Sequence, residues 1–276
     1  MQVFRKIFSG FVLLFYFSSL HAQVDSVLYL PDSVNDQDTD PTVHFFQQNE
    51  KGASPAAIRL ITKAGKIVKL PAFLDSTGIY ADHVLADLDK DGKKELLISN
   101  YTGGSHCCDE IYIFKNIAPN RYQHVVKFFA GNTMITKNNE FVYDFYEQFG
   151  YFFTCYACAY IDTTDEAPVE LHNIVLKYNK GKMMVVPGDK EVRSTIMDNL
   201  GKLGELPYEK LEDDIAHDNG QRKEMALNLA VFHYSFGRNI LETQKLFNKY
   251  YKYPDAKKVW AAFVKQLQYM KKDNDF

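Results

Sequence analysis

The sequence predicts an α+β chain: an antiparallel β-domain of blade-like hairpins, partial-propeller-like or sandwich, followed by a helical C-terminal domain. Two observations carry this. From about Val43 to Val186, short β-branched and aromatic runs recur between Gly, Asn and Pro turns. After about Glu191, apolar residues instead recur three and four apart, with helix boundaries between them. Composition agrees with the first half, since 21 Phe and 18 Tyr against one Trp suit a pleated, half-buried surface. The expected division is 1–22 signal peptide, 23–42 flexible leader, 43–190 β-domain and 191–276 α-helical domain.

The N-terminus reads as a secretory signal peptide. Arg5 and Lys6 precede an apolar run from Ile7 to Phe17, and Ser18, Ser19 and Ala22 follow, with cleavage expected after Ala22. The run falls short of the roughly 20 residues that cross a bilayer, and no comparable stretch follows, so no transmembrane anchor is expected. A periplasmic or secreted location follows. Val24 to Pro41 is rich in Asp, Asn, Ser and Thr and is expected to be loose.

Three hairpins are expected: Ala57–Leu70 around Lys63-Ala64-Gly65, Ile111–Phe129 around Pro119-Asn120, and Ile174–Val186 around Asn179-Lys180-Gly181. Phe141–Ile161 is expected as a longer aromatic hairpin turning near Gln148-Phe149-Gly150. In the helical part, Asn239 and Glu242 form a capping-box pair ahead of Ile240–Tyr251. Gly237 suits the end of the helix Arg222–Phe236, and Asp255 is placed to cap the last helix. There Val259, Trp260, Phe263, Val264, Leu267 and Met270 form one packing stripe.

A formal charge of −3 gives no case for general nucleic-acid binding. Arg238–Lys272 carries nine Lys or Arg against two acids, a set of solvated helix faces or a contact for an anionic surface.

The sharpest chemical pattern is Ala86–Ser99, ADLDKDGKKELLIS. Asp87, Asp89 and Asp91 alternate, Gly92 permits a sharp turn, Lys93 can offer its main-chain carbonyl, and Glu95 closes the ring. Calcium takes six to eight hard oxygens at about 2.3 to 2.6 Å, and alternating carboxylates on a curled loop supply them. The twelfth position is Ile98 rather than the Glu of an EF-hand. A plain Asp-rich surface turn is the alternative. Asp87-x-Asp89-x-Asp91-Gly92-x-x-Glu95 followed by Leu96-Leu97-Ile98 resembles the calcium loop of FG-GAP or VCBS-type repeats. The resemblance covers His83–Phe114, and the stretch Gly103-Gly104-Ser105-His106-Cys107-Cys108 is similar to one following such loops in uncharacterised bacterial secreted proteins. It implies a loop joining two strands of a blade, as in integrin alpha chains, and a role in protein or carbohydrate recognition.

The four cysteines are Cys107 and Cys108, adjacent, and Cys155 and Cys158 in a CxxC. An even count in an exported chain favours disulfides, and cross-links between the two pairs are the expected connectivity. A redox CxxC, or a soft-metal set of His106 with the sulfurs, is the sharper alternative. No Gly-x-Ser-x-Gly, His-Glu-x-x-His or phosphate loop is present. Glu205, Glu209, Glu212, Asp213 and Asp214 could offer a carboxylate pair. The expected function is a non-enzymatic, calcium-binding binding or scaffolding protein of the cell envelope with a protein or carbohydrate ligand. An envelope hydrolase, or a thiol-redox or soft-metal protein, is the alternative.

Overall fold

The computed structural model describes residues 27–29, 59–61, 67–68, 81–101, 109–118, 121–130, 134–135, 139–158, 169–208, 210 and 220–276. Two antiparallel sheets are followed by C-terminal helices, an α+β arrangement. The first sheet holds β1 (Val27–Tyr29), β2 (Arg59–Ile61), β3 (Ile67–Val68), β4 (Ala81–Ala86), β5 (Glu95–Tyr101), β6 (Asp109–Ala118) and β7 (Arg121–Ala130), in the order β3-β2-β1-β7-β6-β5-β4. The second holds β8 (Met134–Ile135), β9 (Glu140–Asp144), β10 (Asn173–Asn179) and β11 (Lys182–Val185), in the order β11-β10-β9-β8.

Period-two alternation explains the first sheet. Leu97, Ile113 and Val126 stand in register across β5, β6 and β7, with Ile111 opposite Phe128, and all five join the main core. Leu96 opposite Phe114 and Ile98 opposite Tyr112 are buried on the other face. The three expected short hairpins are β2–β3, β6–β7 and β10–β11. At the last, Lys180 and Gly181 have φ of 50° and 90°, the paired left-handed residues of a two-residue turn that matches strand twist.

The helices are α1 (Tyr146–Phe149), α2 (Lys190–Glu205), α3 (Gln221–Ser235), α4 (Ile240–Tyr250) and α5 (Ala256–Asp273). Asp189 caps α2, its carboxylate accepting from the Val192 N–H at 2.9 Å, and Asn239 caps α4 through the Leu241 and Glu242 N–H groups. The α5 stripe buries Val259, Phe263, Leu267 and Met270. One buried cluster runs from β6 and β7 through β9 and β10 into α2, α3 and α5. All nine Lys and Arg of 238–272 are solvent-exposed.

Within the expected 23–42 leader, the described residues Val27–Tyr29 form β1, which pairs with β2 and β7. Three expectations are corrected. The expected 141–161 aromatic hairpin is instead β9, α1 and a run of turns as far as Cys158, residues 159–161 lying outside the described residues. Phe145 and Phe149 are both fully buried, and a helical turn puts residues four apart on one side; the Asp144 carboxylate also accepts the Tyr146 N–H at 2.7 Å, starting that turn. Glu242 does not complete a capping box, because its carboxylate accepts from Lys245 Nζ at 2.8 Å. Asp255 makes no side-chain cap to α5. Its carboxylate is taken by Arg222, which is fully buried: Nε and Nη2 each lie 2.9 Å from Oδ2, while the Tyr251 hydroxyl donates to Oδ1 at 3.0 Å.

Removing one partner of a buried ion pair leaves an uncompensated charge, so Asp255→Ala is expected to destabilise the fold by about 3 to 5 kcal/mol in denaturant titration. Adding Arg222→Met in the same chain should restore part of that loss, and a double variant as unstable as the single one would show that Arg222 is not what Asp255 neutralises.

Candidate metal centre

The loop 87–94 joins β4 to β5 and is curled by its own carboxylates. Asp87 accepts from the Asp91 N–H through Oδ1 and from the Gly92 N–H through Oδ2, both at 3.0 Å, and Asp91 Oδ1 accepts from the Lys93 N–H at 2.8 Å. Lys90 and Gly92 take left-handed φ of 59° and 85° to permit this. A Cβ on Gly92 would meet nothing within 4 Å, so backbone conformation alone favours glycine there. Between the two aspartates, Leu88 plunges into the core at 2% exposure and anchors the loop.

Three of the predicted residues converge. Carboxylate oxygens of Asp87, Asp89 and Glu95 all lie within 4.8 Å of one another. Two oxygens bound to one calcium at about 2.3 to 2.6 Å can be no more than about 5 Å apart, so the spacing fits a shared ion. Glu95 is 1% exposed at the root of β5; its Oε2 accepts from the Leu88 N–H at 3.0 Å, while Oε1 is buried and has no hydrogen-bond partner. Asp89 Oδ1 is likewise buried and unpaired. Burial pushes the Glu95 carboxyl up to about 7, the Leu88 N–H opposes this, and the charges of Asp89 and Asp91 add to it. Asp91 and Lys93 are exposed on the outer side of the turn.

The loop also ties the two sheets together. The Lys180 N–H, in the β10–β11 turn, donates to Asp89 Oδ2 at 3.0 Å, and Asn139 Nδ2, ahead of β9, donates to the Asp87 main-chain oxygen at 2.7 Å. Tyr178 of β10 is buried beside the cluster, and its hydroxyl is held above the ordinary phenol range by burial and by the charges of Glu95 and Asp89. Neither Asn139 nor Tyr178 belongs to the acidic motif; in the sequence Tyr178 is placed only as a strand residue of the Ile174–Val186 hairpin, and Asn139 is not singled out.

Of the cysteines, Cys107 and Cys108 lie outside the described residues, as does His106. Cys155 is bonded to Cys158, which corrects the expected links between the two pairs. A tight turn, with the Cys158 N–H donating to the Cys155 oxygen at 3.2 Å, brings the two Cα atoms to 5.1 Å. Fully buried Lys223 braces this turn, its Nζ donating to the Cys155 and Tyr156 main-chain oxygens at 3.2 and 3.0 Å and to the Tyr146 hydroxyl at 2.9 Å.

Beside it lies a pair that no motif announced. Asp144 Oδ1 is 2.6 Å from His172 Nδ1, across 28 residues of sequence. The Asp144 hydrogen bond holds the imidazole above its ordinary pKa against the opposing effect of burial, with the charges of Asp144, Glu170 and Glu224 adding to the rise. No hydroxyl among the described residues is hydrogen-bonded to this imidazole. Glu205 borders a separate cavity of about 490 Å³ together with Asp198 and Lys202, while Glu209, Glu212, Asp213 and Asp214 lie outside the described residues.

No protein-family model, curated protein or solved structure matches this chain. The chemistry of the site therefore rests on its own geometry. Among the described residues no helix is long and apolar enough to cross a membrane.

Two outcomes are expected here. The Cys155–Cys158 bridge closes a very short loop, so on the chain-entropy model Cys155→Ala with Cys158→Ala should cost about 2 kcal/mol at most, read by urea titration of oxidised protein. For His172 the folded pKa lies above the unfolded value of 6.5. Its stabilisation is complete below pH 6.5 and is lost as pH rises through the folded pKa. In His172→Gln this descending component of a stability–pH curve should vanish, and an unchanged curve would remove the Asp144 pairing as its source.

Proposed function

We propose that this chain is an exported, calcium-binding module of the cell envelope, non-enzymatic, whose role is binding or scaffolding of a protein or carbohydrate ligand. The observation that carries the metal reading is Glu95: a carboxylate at 1% exposure with one oxygen unpaired, facing Asp87 and Asp89 within 4.8 Å. Such a group must hold a proton or meet a cation, because a buried carboxylate is poorly solvated and is repelled by the two half-buried carboxylates beside it. Hard oxygen donors select calcium or magnesium, and the larger, more flexible calcium shell suits a loop whose carboxylates also serve its own backbone. Asp87, Asp89 and Glu95 would be the side-chain ligands, Asp91 an outer one, and Lys93 a main-chain donor. The spacing shared with FG-GAP or VCBS-type loops supports the same reading. Export is supported by the Arg5–Lys6 and Ile7–Phe17 pattern and by the Cys155–Cys158 disulfide.

The ion's role would be structural. It would neutralise the carboxylates on which the Lys180 N–H converges, and so hold the β10–β11 turn of one sheet against the β4–β5 loop of the other. Thermal unfolding of the mature protein in calcium, magnesium and chelator tests this. An ion bound only by the folded state at a hundredfold excess over its dissociation constant adds about 2.7 kcal/mol. A calcium-selective rise in Tm is expected, abolished in Asp89→Asn and Glu95→Gln. The absence of any shift at millimolar calcium would reduce 87–95 to an acidic turn.

A further inference from the structure

A cleft of about 920 Å³ opens between β7, β11 and the C-terminal end of α3. That volume lies within the range of about 300 to 1,000 Å³ typical of ligand sites. Its floor is a strand edge. In the β10–β11 ladder Asn179 pairs with Lys182 across the two-residue turn and Lys177 pairs with Met184, while the Val186 N–H donates to the Val175 oxygen at 2.8 Å. Hydrogen-bonded pairs alternate along an antiparallel ladder, so Lys182, Met184 and Val186 turn their backbone groups toward β10. Met183 and Val185 turn theirs the other way, toward the cleft. Among the described residues β11 pairs with β10 alone and is the outer strand of its sheet. Beyond the strand, the Gly188 N–H donates to the Ser235 oxygen at 3.1 Å and closes one end; a Cβ on Gly188 would meet Phe236 at 2.8 Å.

The opposite wall is cationic. The Arg193 guanidinium lies 5.3 Å from the Phe236 ring centroid and 5.6 Å from that of Phe232, and Arg238 lies 4.9 Å from Tyr234 and 6.0 Å from Phe276. Both arginines are exposed, and neither is paired with a carboxylate among the described residues. Lys182 adds a third positive charge. One lining carboxylate, Asp275, which accepts the Lys127 N–H at 2.8 Å, offsets one of these three charges and leaves the lining side chains net positive. The aromatic faces here are covered by guanidinium groups, which disfavours stacking of a sugar. A planar guanidinium matches a carboxylate in two-point geometry, and free strand N–H and C=O groups match an extended backbone.

We propose that this cleft binds an extended acidic segment of a partner protein, added as a strand to β11 through Met183 and Val185, with its carboxylates set against Arg193 and Arg238. This names the ligand class of the binding-module reading, on which it rests, and it is independent of calcium.

Fluorescence anisotropy of labelled, end-blocked (Glu-Val)4 against the mature protein, in calcium and again in chelator, tests it. Saturable binding is expected, at least tenfold weaker for (Lys-Val)4 and for a Glu-Val peptide with proline at alternate positions. Arg193→Glu with Arg238→Glu should weaken binding tenfold or more. Val185→Pro should do the same, since it removes an N–H that faces the cleft and leaves the β10 ladder intact. Tm reports that each variant is folded; should Val185→Pro fail to fold, the proline peptide reads the backbone contribution alone. No saturable binding of (Glu-Val)4 would overturn the proposal. So would binding retained in the charge-reversal variant, binding indifferent to proline, or preference for polygalacturonate over the peptide. A calcium-dependent Tm shift without peptide binding sinks the cleft alone, and peptide binding without the Tm shift sinks the metal reading alone.

Discussion

The fold is organised by a helix that water does not reach. Along α3, Met225 through Phe232 are all buried, together with Tyr234, so this helix has no solvated face in its middle. A helix buried all round must be enclosed by other elements, and the sequence supplies them on each side: β10 and α1, the α2 and α4 helices, and α5. The polar start of α3 must be answered too, since Arg222 and Lys223 are buried with the rest. Asp255 and Tyr251 answer Arg222, and main-chain oxygens of the CxxC turn answer Lys223. The position of the disulfide turn is thus a consequence of where α3 begins.

The acidic loop meets the opposite electrostatic problem. Around α3, buried cations find oxygen acceptors; at the root of β5, a buried carboxylate finds one N–H and two further carboxylates. Asp87 spends both oxygens on loop N–H groups and Asp89 spends one on Lys180, which leaves Glu95 Oε1 and Asp89 Oδ1 as the unanswered atoms. Main-chain donors stabilise the loop's shape without cancelling its charge. That separation of shape from charge is what a cation, or a proton on Glu95, would resolve.

What the sequence made legible follows from local physics. The β6–β7 and β10–β11 hairpins were visible because alternation and turn residues act within a dozen positions, and Asn239 capped α4 because a cap is decided within three. The carboxylates of the loop were visible for the same reason. Phe141–Ile161 was misread because its aromatic density suits strands, whereas the burial of Phe145 and Phe149 on one side is a tertiary demand. Asp255 was misread as a cap because the buried guanidinium that claims it lies 33 residues away. The Asp144–His172 pair and the bond from Lys180 to Asp89 span 28 and 91 residues, and no spacing rule reaches so far.

The β10–β11 hairpin is where these separate features meet. Its turn gives the Lys180 N–H to the acidic loop, its first strand buries Ile174, Leu176 and Tyr178 against the helices, and its second strand lines the cationic cleft. A two-residue turn fixes register, so the Lys180 N–H and the outward backbone groups of Met183 and Val185 are set relative to one another by one hairpin. The acidic loop at the turn and the cleft that lines β11 from Gly181 to Val185 are therefore positioned by one hairpin. A short, rigid hairpin with one paired and one free edge is the part of this molecule best placed to present a fixed backbone to something else.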